Sequence, residues 1–205
     1  RPTYPLTAVN VGEEDHIDGP LENFARGALR LTPARKTYAA VRNADLTKPF
    51  TATLATRARH GQDPQPRQFT FAGDELKSPA IGAGNFLIEI YFRAAGDGLL
   101  VAQQDKTGYA LKLQGGRAAW RLVGPDGARA ELTSRARLDD GRWHHLIAES
   151  DRQARTLTLY VDGKLDNTAP GPGRVSLANQ GDLCVGGNAA GDHLDGAVEF
   201  LRIAH

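Results

Sequence analysis

Apolar and polar residues alternate at every second position along much of the second half of the chain. In the segment Phe86–Arg93 the even-numbered positions are all apolar, while Glu89, Tyr91 and Arg93 occupy odd-numbered positions. Because successive side chains of a β-strand point to opposite faces of its sheet, this pattern predicts a strand with one buried and one exposed face. Helical periodicity is nearly absent, so we predict an all-β fold.

The same alternation recurs in three later segments, Tyr109–Gln114, Ala119–Leu122 and Thr156–Val161. Stretches rich in glycine and aspartate, such as Asp139–Gly141 and Asp162–Gly163, separate the segments. They recur at intervals of about 8–12 residues, which is typical of β-sandwiches and barrels. Such residues accept the positive φ angles of tight turns. We therefore predict an antiparallel β-sandwich with few helices.

The first third of the chain has a weaker pattern. Ala28–Leu31, Lys36–Val41 and Phe50–Ala55 are predicted strands, and Gly61–Pro66 has the composition of a loop or linker. These strands either complete the same sandwich or belong to a separate neighbouring element. We favour the first alternative, because an isolated hairpin is only marginally stable. The predicted division is an N-terminal extension, residues 1–67, that adds strands to a sandwich domain at residues 68–205.

Composition and charge narrow the classes of partner. The 25 Lys and Arg residues and 24 Asp and Glu residues give a net charge of +1, so no basic patch suits nucleic acid. No stretch reaches the roughly 18 apolar residues that a membrane span requires, so we expect no membrane insertion within this chain. The single cysteine, Cys184, lies in an apolar run and is predicted to be a buried structural thiol. The absence of methionine leads us to expect a processed protein or a fragment.

Several motifs follow one another in a distinctive order. Asp140–Ala148, which contains Trp143, is followed by Leu157–Lys164, Leu183–Asn188 and Leu194–Ile203. This order resembles the laminin G-like jelly-roll family, which is related to pentraxins and to concanavalin A-like lectins and glucanases. Upstream, Phe71–Pro79 and the strand at Phe86–Arg93 resemble the opening of that family, so the resemblance covers roughly residues 68–204.

The resemblance implies a concanavalin A-like, laminin G-like β-sandwich that binds a ligand. It also implies an extracytoplasmic location: secreted, periplasmic or on the cell surface. The expected ligand is a carbohydrate, and the alternative is a protein-interaction or structural spacer domain that recognises another polypeptide. Trp143 is expected to be a buried anchor between the sheets, because an aromatic side chain buries a large apolar area.

The carboxylate arrangement of related glycoside hydrolases is not evident in the sequence. Those enzymes place two glutamates and an aspartate on one strand, and a retaining mechanism needs two carboxyl groups about 5–5.5 Å apart. The comparable strand here offers only Glu89, and Glu131 stands alone in another segment. We therefore predict a binding module without catalytic activity, with a polysaccharide-cleaving enzyme as the weaker alternative.

Outward positions on the predicted strands supply the candidate ligand-binding residues. Glu89, Tyr91 and Arg93 form a ridge along one strand, and Lys112 and Arg121 point outward on two others. Carbohydrate sites combine a few placed polar groups with an apolar surface, and arginine favours acidic sugars. We predict that these five residues contact the ligand. The alternatives are that they are ordinary solvated residues of the sheets, or that the ligand binds at the adjoining rim loops.

Calcium is the cofactor that the resemblance implies. Laminin G-like and pentraxin domains often hold Ca²⁺ at one rim through Asp or Asn side chains and backbone carbonyls, the oxygen ligands that a hard cation prefers. The loop before the last strand offers Asn188, Asp192 and Asp195 as candidate ligands. His144 and His145 are not expected to bind one ion together, because adjacent strand residues point to opposite faces.

Overall fold

The computed structural model describes residues 6–21, 27–46, 50–55, 66–71 and 81–205. In that part of the chain there are sixteen strands, one four-residue α-helix, α1 (Asn43–Leu46), and two 3₁₀ turns at Glu13–Asp15 and Pro33–Arg35. The strands are β1 (Thr7–Val9), β2 (His16–Ile17), β3 (Ala28–Leu31), β4 (Tyr38–Val41), β5 (Phe50–Ala55), β6 (Pro66–Phe71), β7 (Phe86–Ala94), β8 (Gly98–Gln104), β9 (Gly108–Gln114), β10 (Arg117–Val123), β11 (Arg129–Thr133), β12 (Trp143–Asp151), β13 (Thr156–Val161), β14 (Lys164–Pro170), β15 (Leu183–Val185) and β16 (Gly196–Ala204).

Two antiparallel sheets of seven strands each form the sandwich. Sheet A has the order β1-β4-β15-β8-β9-β10-β11, and sheet B has the order β14-β13-β12-β7-β16-β3-β2. The predicted all-β sandwich is confirmed. Strands β5 and β6 pair only with each other, in a separate two-stranded sheet.

The early strands are distributed between both large sheets. β4 pairs with β15 in sheet A, and β3 pairs with β16 in sheet B. Strands from either side of residue 68 are therefore hydrogen-bonded within the same two sheets. Most of the predicted loop Gly61–Pro66 lies outside the described residues, and its last residue, Pro66, begins β6. Residues 72–79 of the upstream motif also lie outside them.

The core lies between the two sheets and contains a cluster of three aromatic side chains. The Trp120 ring of β10 lies 5.5 Å from the Phe86 ring of β7 and 6.0 Å from the Tyr109 ring of β9, measured between centroids. Because β7 belongs to sheet B while β9 and β10 belong to sheet A, this cluster joins the sheets. Trp120 is fully buried.

The prediction that Trp143 anchors the core is wrong. On β12, His144, Leu146 and Ala148 are buried, and the alternation places Trp143 on the opposite, outer face, where it is only half-buried. Trp120 is the buried tryptophan instead.

Cys184 is also less buried than expected. Its side chain is half-buried on β15, and desolvation followed by the charge of Asp182 raises the pKa of its thiol to about 11. A thiol with a raised pKa is protonated at neutral pH, so Cys184 has little thiolate character.

Candidate ligand-binding face

The outer face of sheet B carries a group of aromatic and charged side chains that are suited to a ligand. On the central strand β7, Leu87, Glu89, Tyr91 and Arg93 alternate with buried apolar residues and point outward. The antiparallel register with β12 places His145 opposite Tyr91 and Trp143 opposite Arg93. The predicted ridge of Glu89, Tyr91 and Arg93 is therefore flanked by aromatic side chains from the neighbouring strand.

Tyr91, Trp143 and Arg93 form one contact cluster on this face. The Tyr91 and Trp143 rings are stacked with 5.5 Å between centroids and 9° between planes. The Cζ atom of Arg93 lies 5.5 Å from the centroid of the Trp143 ring, within range of a cation–π interaction. Burial, followed by the charges of Glu199 and Asp162, raises the pKa of Tyr91, so its hydroxyl is protonated at neutral pH.

Glu89 is the centre of a polar network. Its Oε1 lies 2.8 Å from Nε2 of His145 on β12, and its Oε2 accepts a hydrogen bond of 2.6 Å from Nη2 of Arg202 on β16. The cross-strand register explains both contacts, because Arg202 lies opposite Glu89 and His145 lies diagonally across from it. The network holds three polar side chains together on this face.

An open cavity of about 370 Å³ lies beside this network, which we call the platform cavity. Its lining comprises Leu21, Glu89, Tyr91, His145, Phe200 and Arg202. Three of these side chains are apolar or aromatic (Leu21, Tyr91 and Phe200), and the other three carry charged or polar groups. A volume of this size is within the range of small-ligand sites.

Phe200 was missed in the sequence because a β-bulge changes the alternation of β16. The register with β7 shifts between Val198 and Phe200, leaving Glu199 as the extra residue. Uninterrupted alternation from the buried Val198 would place Phe200 in the core, whereas the bulge turns it to the outer face. His145 and Arg202, by contrast, could have been found by extending the alternation of β12 and of the end of β16.

Lys112 and Arg121 lie on the other side of the sandwich. Both belong to sheet A, where Lys112 alternates with the buried Leu111 and Leu113 on β9. Arg121 on β10 forms an ion pair of 2.7 Å with Glu131 on β11. The five predicted ligand-binding residues are therefore divided between opposite outer faces, and the structure does not bring the two basic residues to the Glu89–Arg93 ridge.

The three predicted calcium ligands are also separated. Oδ1 of Asn188 accepts the backbone N–H of Ala190 in a tight turn. Asp192 lines a cavity of about 210 Å³ together with Lys112, whereas Asp195 lines another, of about 300 Å³, together with Arg30 and Arg93. Within the described ranges no three His, Cys, Asp or Glu residues are grouped so that they could hold a metal ion. Calcium binding at Asn188, Asp192 and Asp195 stays a prediction of the resemblance.

Comparison with known proteins agrees with this architecture. A family model for laminin G-like domains of the concanavalin A-like lectin/glucanases superfamily matches residues 34–205, most of the chain. The chain belongs to the concanavalin A-like lectin/glucanases superfamily. The match begins well before residue 68, so it includes β4 of sheet A. No curated protein sequence matches this concanavalin A-like domain.

Solved structures share its fold at low sequence identity. Domains LG4-5 of the mouse laminin α1 chain match with 20% identity and a TM-score of 0.50, over 58% of this chain and 35% of that chain. The CBM40 of Ruminococcus gnavus IT-sialidase bound to α2,3-sialyllactose matches with 14% identity and a TM-score of 0.52, over 65% and 80%. The binding domain of Paraclostridial Mosquitocidal Protein 1 matches with 13% identity and a TM-score of 0.53, over 95% and 47%. This domain thus spans only about a third to four-fifths of the chains it resembles, and the likeness shows the fold.

The α-helix that the structure describes in this concanavalin A-like domain, α1, has four residues. Neither it nor any other helix in the described ranges is long and apolar enough to cross a membrane.

Behind the candidate face, His144 is held between two carboxylates. Its Nδ1 lies 2.9 Å from Oδ2 of Asp162, and its Nε2 lies 3.0 Å from Oδ1 of Asp140. A neutral imidazole carries only one N–H, so both hydrogen bonds require the doubly protonated ring. Asp162 is positioned by the β13–β14 turn, where it and Gly163 have φ angles of 49° and 76°. As predicted, His145 points to the opposite face.

We expect His144 to make the stability of the concanavalin A-like domain depend on pH. Burial alone would lower the pKa of His144, but the hydrogen bonds and charges of Asp162 and Asp140 outweigh it, so the pKa is raised above 6.5. The stabilisation is complete below the unfolded-state pKa and is lost as the pH rises through the higher folded-state pKa. The free energy of unfolding should therefore fall above about pH 6.5, by at most about 1.4 kcal/mol per pH unit from this one proton.

Urea unfolding of the wild type and of His144→Gln between about pH 6 and pH 9 measures this dependence. The variant should be less stable at the acidic end and should lack this component of the slope. Equal slopes in the two proteins would contradict the role of His144.

Proposed function

We propose that this chain is a non-catalytic carbohydrate-binding module of an extracytoplasmic protein, and that its ligand binds in the platform cavity on the outer face of sheet B. The observation that carries the proposal is the composition of that cavity. Leu21, Tyr91 and Phe200 supply apolar and aromatic surface, on which the C–H face of a sugar ring can pack. Glu89, His145 and Arg202 supply hydrogen-bonding groups for sugar hydroxyls.

The polar groups of the cavity are already held in place. Because Glu89 is hydrogen-bonded to both His145 and Arg202, neither side chain has to be ordered when a ligand arrives. A site ordered in advance loses less conformational entropy on binding. This arrangement supports recognition of a rigid, polyhydroxylated ligand.

The same network supports binding without catalysis. Among the described residues that line the cavity, Glu89 is the only carboxylate, and each of its oxygens is engaged by a cationic or imidazole nitrogen. A retaining glycosidase needs two carboxyl groups about 5–5.5 Å apart on either side of the scissile bond. The cavity lacks that pair in the described part of the chain.

A protein partner, the alternative prediction, has less support. The large exposed apolar residues in the described ranges are Leu6, Leu165 and Val175. Leu6 precedes β1 at one edge of sheet A, Leu165 lies on β14 at an edge of sheet B, and Val175 lies in a loop. Three residues on separate elements do not make the contiguous apolar patch that is typical of protein interfaces.

A glycan array followed by calorimetric titration of the best-bound glycan tests the proposal. Tyr91→Ala should weaken binding about fivefold, because an aromatic contact is worth on the order of 1 kcal/mol. Tyr160→Ala removes a second tyrosine from the same face but outside the cavity, and Lys112→Ala alters the opposite sheet, so both should bind like the wild type. Repeating the titration with calcium and with chelator tests the implied cofactor.

Melting temperatures of all variants separate loss of the site from loss of the fold. An array without any bound glycan would contradict the proposal and favour a protein partner. Unchanged affinity of Tyr91→Ala would place the ligand elsewhere on the molecule.

A further inference from the structure

Two arginines lie on either side of a small, covered residue at the end of sheet B. In the register of β3, β16 and β7, Ala197 lies between Arg30 and Arg93. Because neighbouring strands are about 4.8 Å apart, the two arginine backbones are about 10 Å apart, with only a methyl group between them. Ala197 faces outward but is completely buried, so the surrounding side chains cover it.

Arg30 and Arg93 have no carboxylate ion-pair partner in the described part of the chain, in contrast to three other arginines of the domain. Arg202 is bonded to Glu89, Arg121 to Glu131 and Arg137 to Asp139. In the described residues, neither guanidinium group makes an ion pair or a hydrogen bond. Arg93 lies over the Trp143 ring, and Arg30 lies close enough to Asp15 for its charge to act on that carboxylate. The N–H donors of both guanidinium groups therefore remain available to an external anion.

A cavity of about 300 Å³ opens between these arginines, and we call it the arginine cavity. Arg30, Arg93, Gly141 and Asp195 are among its lining residues. Arg93 also contacts Trp143, which is stacked on Tyr91 of the platform cavity. One continuous row of side chains thus links the two cavities, so that a ligand of a few sugar units can occupy both.

The charge around the arginine cavity selects the kind of anion. Asp195 lines it, and Asp140 directly precedes Gly141, another lining residue. These carboxylates repel a chain of closely spaced negative charges, and the net charge of +1 supplies no long-range attraction for one. A single planar carboxylate fits the bidentate geometry of a guanidinium group.

We propose that the arginine cavity binds the carboxylate of an acidic sugar, with the adjoining sugar unit in the platform cavity. This proposal rests on the proposed function and deepens it, since it names the chemical class of the glycan. Arg93, held by Trp143, is the preorganised partner, and Arg30 completes the site from the far side of Ala197.

Matched pairs of probes that differ only in the acidic group test the proposal. The pairs are sialyllactose against lactose, and trigalacturonate against its methyl ester, titrated at about 0.15 M salt. For at least one pair, the acidic member should bind at least about tenfold more tightly. Arg30→Gln and Arg93→Gln should each remove most of that preference, while Arg121→Gln, on the opposite sheet, should keep it.

Each remaining outcome overturns a different statement. Equal affinity for the acidic and neutral members, or binding of neutral glycans alone on the array, would overturn the carboxylate site and leave the carbohydrate-binding function standing. If a sulfated heparin-type hexasaccharide bound more tightly than either carboxylate probe, the preferred ligand of the arginine cavity would be a polyanion rather than a single carboxylate. Absence of any glycan binding would overturn both proposals.

Discussion

Trp120→Ala is expected to lower the free energy of unfolding by about 3–5 kcal/mol, the usual cost of truncating a large buried aromatic side chain. Trp120 is completely buried and contacts Phe86 across the space between the sheets and Tyr109 on the adjacent strand. Its removal leaves a cavity at the point where the sheets meet, and neither neighbour can fill that space without leaving its own position. Such a loss is a large part of the total stability of a typical domain.

Trp143→Ala is the matched control, because it removes the same side chain from the outer face. Trp143 is half-buried and contacts Tyr91 and Arg93 rather than the core. We expect a cost of about 0.5–1.5 kcal/mol, the value of an aromatic pair. The same substitution should weaken glycan binding, since it releases both of its neighbours.

Urea unfolding of both variants measures the difference. Trp120→Phe, which keeps most of the ring contacts, provides a measurable value if Trp120→Ala does not fold. A larger loss of unfolding free energy for Trp143→Ala than for Trp120→Ala would show that Trp143 is the core anchor.

The two tryptophans show what alternation can predict and what resemblance can obscure. In β12 the apolar residues Leu146 and Ala148 occupy even positions, so alternation places Trp143 with the odd, outward residues. A conspicuous tryptophan in a family motif instead suggested a buried anchor. Local periodicity was the better guide, because it follows directly from the geometry of a strand.

Positions on a single strand could be predicted, whereas the assembly of a site from several strands could not. The outward set of Glu89, Tyr91 and Arg93 follows from β7 alone. Their neighbours depend on pairings such as β7 with β16, and on the bulge that turns Phe200 outward. Arg30 is distant from Arg93 in the sequence, and only the strand order brings both next to Ala197.

The same limit applied to Lys112 and Arg121. Alternation correctly indicated that both point away from the core, but it carries no information on which sheet a strand joins. Sheet membership is decided by long-range pairing, which depends on the whole set of strands.

Arg152 is a buried cation with an unusual set of partners. It follows β12 and is only 1% exposed. Its Nε donates to the backbone carbonyl of Gly173 at 2.8 Å, and its Nη2 donates to that of Val175 at 2.5 Å. Its backbone N–H donates to Oδ1 of Asn85 at 2.8 Å. Desolvation lowers the pKa of Arg152, and its Nη1 has no partner among the described residues.

These contacts hold the segment between β14 and β15 against the sandwich. The segment contains Gly173 and Val175 and leads to the buried Leu177, whose N–H donates to the carbonyl of Gly82. The segment is not part of a strand, so side-chain donors supplement the few backbone hydrogen bonds to its carbonyls, such as the one from Val175 N–H to Gly173. The fork of Arg152 satisfies two carbonyls at once, which the single ammonium of lysine on a flexible stem does less well.

Arg152→Ala should therefore lower the free energy of unfolding by about 2–4 kcal/mol, because it removes the side-chain donor to the carbonyl of Val175, leaves that of Gly173 with only the N–H of Val175, and opens a cavity. Arg152→Met fills most of that volume and removes the buried charge, so its cost should be smaller and should report chiefly the two lost hydrogen bonds. Hydrogen exchange at Leu177 should accelerate in both variants, whereas exchange in β10 should change only as far as global stability does. Equal stability of Arg152→Met and the wild type, with unchanged exchange at Leu177, would show that the buried charge costs as much as its hydrogen bonds contribute and that the segment is held by Leu177 itself.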